Sequence, residues 1–246
     1  MVAPEKLSTD RFLDGKVMLQ QPESGYRAGI DPVLLAAAVP AAGGEKVLDL
    51  GCGVGAAALC LAARVADVVV EGVDIQSNLV RLARENAGLS GLAARARFQS
   101  ADILTLSLGQ IFDHVMANPP YVANGAGTVS PDPAKALANM EGEAVVTDWI
   151  AAALAHVVDG GSITFIHRYD RREEVVAGLS PACGDIVSFP LWADPGRKRA
   201  KRVIVHARKG GDGPPRESDG LVLHGDDGSY TSETEAILRD AAALTL

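Results

Sequence analysis

The string Val47-Leu48-Asp49-Leu50-Gly51-Cys52-Gly53-Val54-Gly55 constrains this chain more than any other stretch. An apolar run interrupted by one carboxylate gives way to glycine at every second position, and the alanine- and leucine-rich residues Ala56 to Ala66 follow. Glycine tolerates the left-handed backbone of a tight turn and lets main chain approach a ligand closely. This is therefore where a strand turns into a helix around something bound.

The downstream sequence repeats the unit. Short apolar or β-branched runs at Lys46 to Leu50, Val68 to Val73, Arg95 to Gln99, Asp113 to Ala117, Ser162 to His167, Asp185 to Pro190 and Arg202 to Arg208 alternate with segments of helical periodicity. That alternation implies a mostly parallel sheet covered by helices. Leu79, Leu82, Ala83 and Ala87 form one helical stripe with Ser77 as its cap. Val145, Val146, Trp149, Ile150, Ala153, Leu154, Val157 and Val158 form another, which Gly160 and Gly161 stop. Both stripes read as packing rather than cofactor contacts. A parallel crossover needs about a dozen residues or more, so Leu191 to Lys201 instead joins the last two strands as an antiparallel hairpin. The expected fold is α/β: a seven-stranded, mostly parallel sheet with an antiparallel last strand and helices on both faces.

With 246 residues, 48% of them apolar and 22% charged, one generous core is feasible. The expected organisation is an N-terminal segment, 1–45, packed on a main domain, 46–209. Residues 210–246, a flexible link plus a C-terminal strand and helix, belong to the same domain. The link is Lys209 to Gly220, the strand Leu221 to His224, and the helix starts near Ser232, which has capping-box spacing to Glu235. Val122 to Gly142, rich in Gly, Asn, Pro and Ala, reads as a long loop of the lid kind. The first residues, MVAPEKLSTDRF, carry no basic segment ahead of an apolar core, and no apolar stretch approaches membrane-spanning length. A cytoplasmic protein without a membrane partner is expected. Cys52, Cys60 and Cys183 lack the spacing of a disulfide framework or a zinc site.

The glycine loop alone also satisfies a dinucleotide fingerprint, since Gly51, Gly53 and Ala56 fit G-x-G-x-x-G/A. Asp49 separates the readings: its carboxylate repels a pyrophosphate and suits the cationic methionine end of S-adenosylmethionine. Asp74, closing the second strand beside Ile75, can accept from ribose hydroxyls in either cofactor. Asp102, after the third strand and beside Ile103, can accept from an adenine amino group while apolar side chains flank the ring. Each aspartate also reads as a loop or helix cap.

Asn118-Pro119-Pro120-Tyr121 follows the fourth strand. Two prolines fix the backbone and leave carbonyls free to accept. The Asn118 side-chain oxygen and the Pro119 carbonyl can hold both hydrogens of one flat amino group, while Tyr121 stacks on the attached ring or amide. Such acceptors stabilise the positive charge that develops as this poor nucleophile takes a methyl group, so neither a metal nor a strong base is required.

These motifs resemble the Rossmann-like class I methyltransferases that modify amino groups, over Lys46 to Tyr121. Tyr26-Arg27-Ala28-Gly29-Ile30-Asp31-Pro32-Val33-Leu34-Leu35, Arg202-Val203-Ile204-Val205, Leu221-Val222-Leu223-His224-Gly225 and Tyr230-Thr231 resemble bacterial tRNA adenine-N6 methyltransferases acting beside the anticodon of a valine tRNA. The resemblance implies that Asp49, Gly51, Gly53, Gly55, Asp74, Ile75, Asp102 and Ile103 bind S-adenosylmethionine and its product S-adenosylhomocysteine. It implies that Asn118, Pro119 and Tyr121 present the target amine. Asp31 reads either as lining the cofactor entrance or as capping a helix over Val33 to Ala38.

A formal charge of −8 opposes attraction to RNA, so tRNA binding would need a local basic patch. Arg197, Lys198, Arg199, Lys201 and Arg202 place five of 23 basic residues within six positions, and Arg168, Arg171 and Arg172 can join them. A solvated, mixed charge face is the other reading of that run. The alternatives to an RNA substrate are a protein glutamine amide, which the same tetrapeptide would grip, and DNA adenine. A nicotinamide-dependent oxidoreductase remains on the glycine pattern alone.

Overall fold

The computed structural model describes residues 6–24, 27–120, 144–197 and 199–246. Tyr26, Tyr121, Lys198 and the Val122 to Gly142 loop, all singled out above, lie outside them. The chain opens with an antiparallel pair, β1 (Leu7–Phe12) and β2 (Val17–Pro22), that the sequence reading did not foresee. Helix α1 (Asp31–Ala38) leads into β3 (Lys46–Leu50) and α2 (Ala56–Arg64). Next come β4 (Val69–Asp74), α3 (Ser77–Leu89), β5 (Ala96–Ser100) and β6 (Phe112–Ala117). After residue 143 the order is α4 (Val146–His156), β7 (Val157–Arg168), α5 (Arg172–Leu179), β8 (Cys183–Trp192) and β9 (Ala200–Lys209). Two short strands, β10 (Arg216–Glu217) and β11 (Leu221–Val222), precede α6 (Ser232–Asp240).

The main sheet runs β10-β8-β9-β7-β6-β3-β4-β5, with β11 also pairing β8. It therefore has nine strands among the described residues, not seven: the seven expected of the main sheet, the expected C-terminal strand, present as Leu221–Val222 and paired along β8, and β10, which was not expected. Neighbours from β5 to β7 are parallel, while β9 is antiparallel to both β7 and β8, as the hairpin argument required. Residues Lys209 to Gly220, expected as a flexible link, lie along that edge instead. Asp185 N–H donates to Gly213 O at 2.9 Å, and Ser218 N–H donates to Ser188 O at 3.0 Å.

Alternating strand residues feed two cores. Val47, Val70, Phe98, Met116, Ile166 and Ile204 face one cluster with α1, α2 and α3, and Leu48, Leu50, Val73, Phe165 and Val203 face the other with α4 and α5. At about 25 cal/mol per Å² of apolar surface buried, these two clusters supply most of the drive to fold.

Several element ends differ from expectation for local reasons. Val157 and Val158 belong to β7, because α4 closes at His156. The register then slips between Phe112↔Val157 and His114↔Ser162. Gly160, at φ +81°, turns the chain inside that bulge instead of stopping a helix. Ser77 is the first helical residue and not the cap. Thr231, not Ser232, caps α6 by accepting from Thr234 N–H.

Candidate functional site

In parallel α/β sheets, ligands bind beyond the carboxyl ends of the strands, where the strand order reverses. Here the reversal falls between β3, flanked by β4, and β6. The register pairs Leu50 with Val73 on one side and with Ala117 on the other. Gly51 and Asn118 thus leave adjacent strands one residue beyond a shared rung.

The loop between β3 and α2 is fixed from below. Gly51 and Cys52 N–H both donate to Val73 O, at 2.8 and 2.9 Å. Gly51, Gly53 and Gly55 have φ of +69°, +53° and +87°, values that an L side chain adopts only with strain. Among the described residues a Cβ at Gly53 would meet nothing within 4 Å, whereas at Gly55 it would press on Phe98 and Ala83. Gly53 is thus the glycine of the loop with room beside its Cα, while its N–H is held by Asp74.

Two carboxylates lie under this loop. Asp74 accepts Gly53 N–H at 2.9 Å through one oxygen and Gln76 N–H at 2.8 Å through the other. Asp49 is 2% exposed and accepts Ala58 N–H at 3.2 Å. Burial pushes its pKa up to about 8; the Ala58 hydrogen bond opposes that rise, and the nearby Asp74 charge adds to it. Burial also raises Asp74, against the two backbone hydrogen bonds. This buried acidic pair, which has no cationic partner among the described residues, is electrostatically matched to a cation placed on the loop, and mismatched to a pyrophosphate.

Asp102 caps the 3-10 turn Ile103–Thr105 by accepting Leu104 N–H at 3.0 Å. This realises its cap reading and leaves further lone pairs on the carboxylate. Ile75 is 66% exposed, which suits an apolar side chain against a flat ring, and Ile103 is half-buried against the second core. Asn118 and Pro120 are half-buried and Pro119 is buried.

Asp31 is not the cap of α1. The helix starts at Asp31 itself, with Ile30 at the cap position. Its carboxylate takes the Arg202 guanidinium at 2.9 Å, so Arg202 ties α1 to the start of β9 and leaves the expected basic patch. Arg168, Arg171 and Arg172 likewise engage carboxylates: Asp170, Glu174, and Glu173 with Glu217. Arg197 stands 3.8 Å from Asp219. Arg199 and Lys201 are exposed. Because Arg168 pairs with Arg202 across β7 and β9, this turn rises from the same sheet edge as Asn118.

Two residues were missed as parts of the site's frame. Asn86 is fully buried, donating to Gln20 O at 3.1 Å and Val54 O at 3.0 Å while accepting Gln20 N–H at 2.8 Å. It stitches the glycine loop to β2. Its signal was an amide four positions after Leu82 on an apolar stripe, where only a satisfied polar group can sit. Trp149 is the second: its ring lies against Gly51.

Asp74→Ala should weaken binding of S-adenosylhomocysteine by about 1–3 kcal/mol, through unpaired ribose hydroxyls and two released loop N–H groups. Calorimetric titration reads this directly, and unchanged affinity would remove Asp74 from the site.

A seven-strand core in this order with a glycine loop over two buried carboxylates defines a class I, S-adenosylmethionine-dependent methyltransferase. The chain belongs to the methyltransferase small-domain family, whose model matches residues 28–177. A protein of Aeromonas hydrophila named tRNA1(Val) (adenine(37)-N6)-methyltransferase is 31% identical over 206 residues, 83% of this chain and 85% of that one. A protein of the same name from Tolumonas auensis is 28% identical over 89% of this chain and 91% of its own. Among solved structures, a predicted O-methyltransferase from Agrobacterium tumefaciens superposes with a TM-score of 0.73, at 24% identity over 87% of this chain and 98% of that one. The Thermus thermophilus 16S rRNA N2 G1207 methyltransferase, solved with its methyl donor and guanosine, gives 0.56 at 20% identity over 83% of this chain and 50% of that one. Both structural likenesses speak to the fold.

Proposed function

We propose that this enzyme methylates adenine N6 in tRNA, in the cytoplasm, with Asn118, Pro119 and Tyr121 presenting the amine. The observation that carries the reading is the shared rung Leu50↔Ala117, from which the glycine loop and Asn118 emerge side by side. The names carried by the Aeromonas and Tolumonas relatives support adenine N6 as the acceptor.

The bound cofactor supplies an electrophilic methyl group on a sulfonium. The protein does the rest by position. Asp49 and Asp74 offer negative potential beneath the loop, and Gly53 leaves room above it. Asn118 Oδ1 and the Pro119 carbonyl accept the two amino hydrogens, orienting the nitrogen lone pair and stabilising its growing positive charge. Holding the acceptor nitrogen in place for the methyl group that the cofactor would supply would account for most of the remaining acceleration. An adenine must leave its stack to reach this edge of the sheet.

Nucleoside mass spectrometry of total RNA from cells with and without the gene tests the assignment: N6-methyladenosine in tRNA should disappear with the gene. Unchanged RNA with methyl label recovered in protein would replace it with an amide acceptor.

The exposed turn at Arg199 and Lys201 is the proposed contact to phosphate. Reversing both charges to Glu should cut tRNA affinity and make the slope of log affinity against log salt shallower by about 2. An unaltered slope would assign RNA binding to another surface.

A further inference from the structure

The inference rests on the cofactor reading above and adds one residue to it. Trp149 has the sequence signature of a core position, yet its ring lies against the cofactor loop. A Cβ built on Gly51 would fall 2.5 Å from Trp149 Cη2 and 2.7 Å from Cζ3. The far edge of the indole therefore rests on the Gly51 backbone. On its other side Gly51 is held by its N–H bond to Val73 O at 2.8 Å. The contrast with Gly53, whose Cβ would meet no described residue within 4 Å, separates two demands on the loop. Both glycines hold a left-handed φ, but beside Gly51 the protein also fills the space a side chain would need, and beside Gly53 no described residue does.

A second observation comes from the indole nitrogen. Trp149 is 8% exposed, and its Nε1 is shielded from solvent with no hydrogen-bond partner among the described residues. A buried donor left unmade costs stability, and a phenyl ring would avoid that cost if the site needed only apolar volume. What phenylalanine cannot supply is the reach of the second ring to Gly51. Helix α4 also packs on β3, on β6 and on the Ile103–Thr105 turn, so the residue stands where the candidate cofactor elements converge.

We propose that Trp149 is a positioning residue for the methyl donor: its indole edge, acting through Gly51, holds the loop in the left-handed turn that receives the cofactor. Because it acts through Gly51, its effect falls on cofactor binding.

The test is a double-mutant cycle of Gly51→Ala and Trp149→Phe in the full chain, reading S-adenosylhomocysteine affinity by calorimetry, KM and kcat for S-adenosylmethionine, and Tm. Gly51→Ala should weaken binding at least about 20-fold in the parent, and at least about fivefold less in the Trp149→Phe background, where the shorter ring vacates the space a methyl needs. Trp149→Phe alone should raise KM for S-adenosylmethionine about three- to tenfold with kcat within about twofold and Tm level or higher, since the stranded N–H is gone. Equal costs of Gly51→Ala in both backgrounds would overturn the proposal, as would an unchanged KM or a Tm that falls in step with affinity. If Gly51→Ala does not fold, the single Trp149→Phe comparison decides by its KM. A parent chain that binds no S-adenosylhomocysteine would overturn the cofactor reading itself, which an additive cycle on a binding-competent parent would not.

Discussion

Asn118→Ala is expected to lower kcat by at least about 10²–10³-fold, the cost of removing one preorganised acceptor from a developing charge. S-adenosylhomocysteine affinity should stay within about threefold, because no interaction made by Asn118 is needed until charge develops on the nitrogen. The asymmetry follows from where the residue stands. Ala117 is the last residue of β6 and shares a rung with Leu50, so Asn118 is next to the glycine loop without being part of it. Single-turnover kinetics with labelled methyl donor, set beside calorimetry on the same protein, measures both quantities. If the two fell together, Asn118 would be holding the loop or the cofactor, and the acceptor role would be lost.

What the sequence made legible follows from which forces are local. The glycine string and the alternating apolar runs read correctly because a strand buried on both faces and a tight left-handed turn each leave a signature within about ten residues. The antiparallel end of the sheet was legible by length alone, since Leu191 to Lys201 cannot hold a crossover. Long-range pairing was not legible. Strand β10 is two residues long and exists only because β8 offers an edge, the expected strand at Leu221 to His224 is cut to the two residues of β11 that pair there, and β1 and β2 needed a partner that nothing nearby announces. The same limit applies at the site. Asp74 and Asp102 could be placed at strand ends, but that Asp31 and Arg202 are 2.9 Å apart, 171 positions removed in sequence, is a fact of the fold. It removes one arginine from the run that looked like a phosphate patch. Trp149 carried a helical period and nothing else, so its contact with Gly51 was invisible until the two cores were assembled.

Asp49 gives the second large effect, and it is a dependence on pH. In the folded chain without ligand its carboxyl titrates near 8 because it is buried, with the Asp74 charge adding to the rise, whereas an unfolded aspartate titrates near about 3.9. A raised folded value means that the native state holds its proton more tightly than the unfolded state. The group's stabilising contribution is present below about pH 4 and is lost progressively as pH climbs toward 8. A cationic ligand reverses the preference, since it favours the ionised carboxylate and pulls the pKa down. Binding at neutral pH must then release a proton, and affinity should rise by up to about tenfold per pH unit below 8, levelling above it. Asp49→Asn should abolish that part of the slope and weaken binding on the plateau by about 10–100-fold, the range for loss of a charged partner. Comparing the two proteins with one ligand cancels the titration of the ligand's own amine. Calorimetry of S-adenosylmethionine from pH 6 to 9 in buffers of different ionisation heat reads both the affinity and the proton count. Superimposable slopes for parent and variant would mean that the charge beneath the loop is not what receives the sulfonium end of the cofactor.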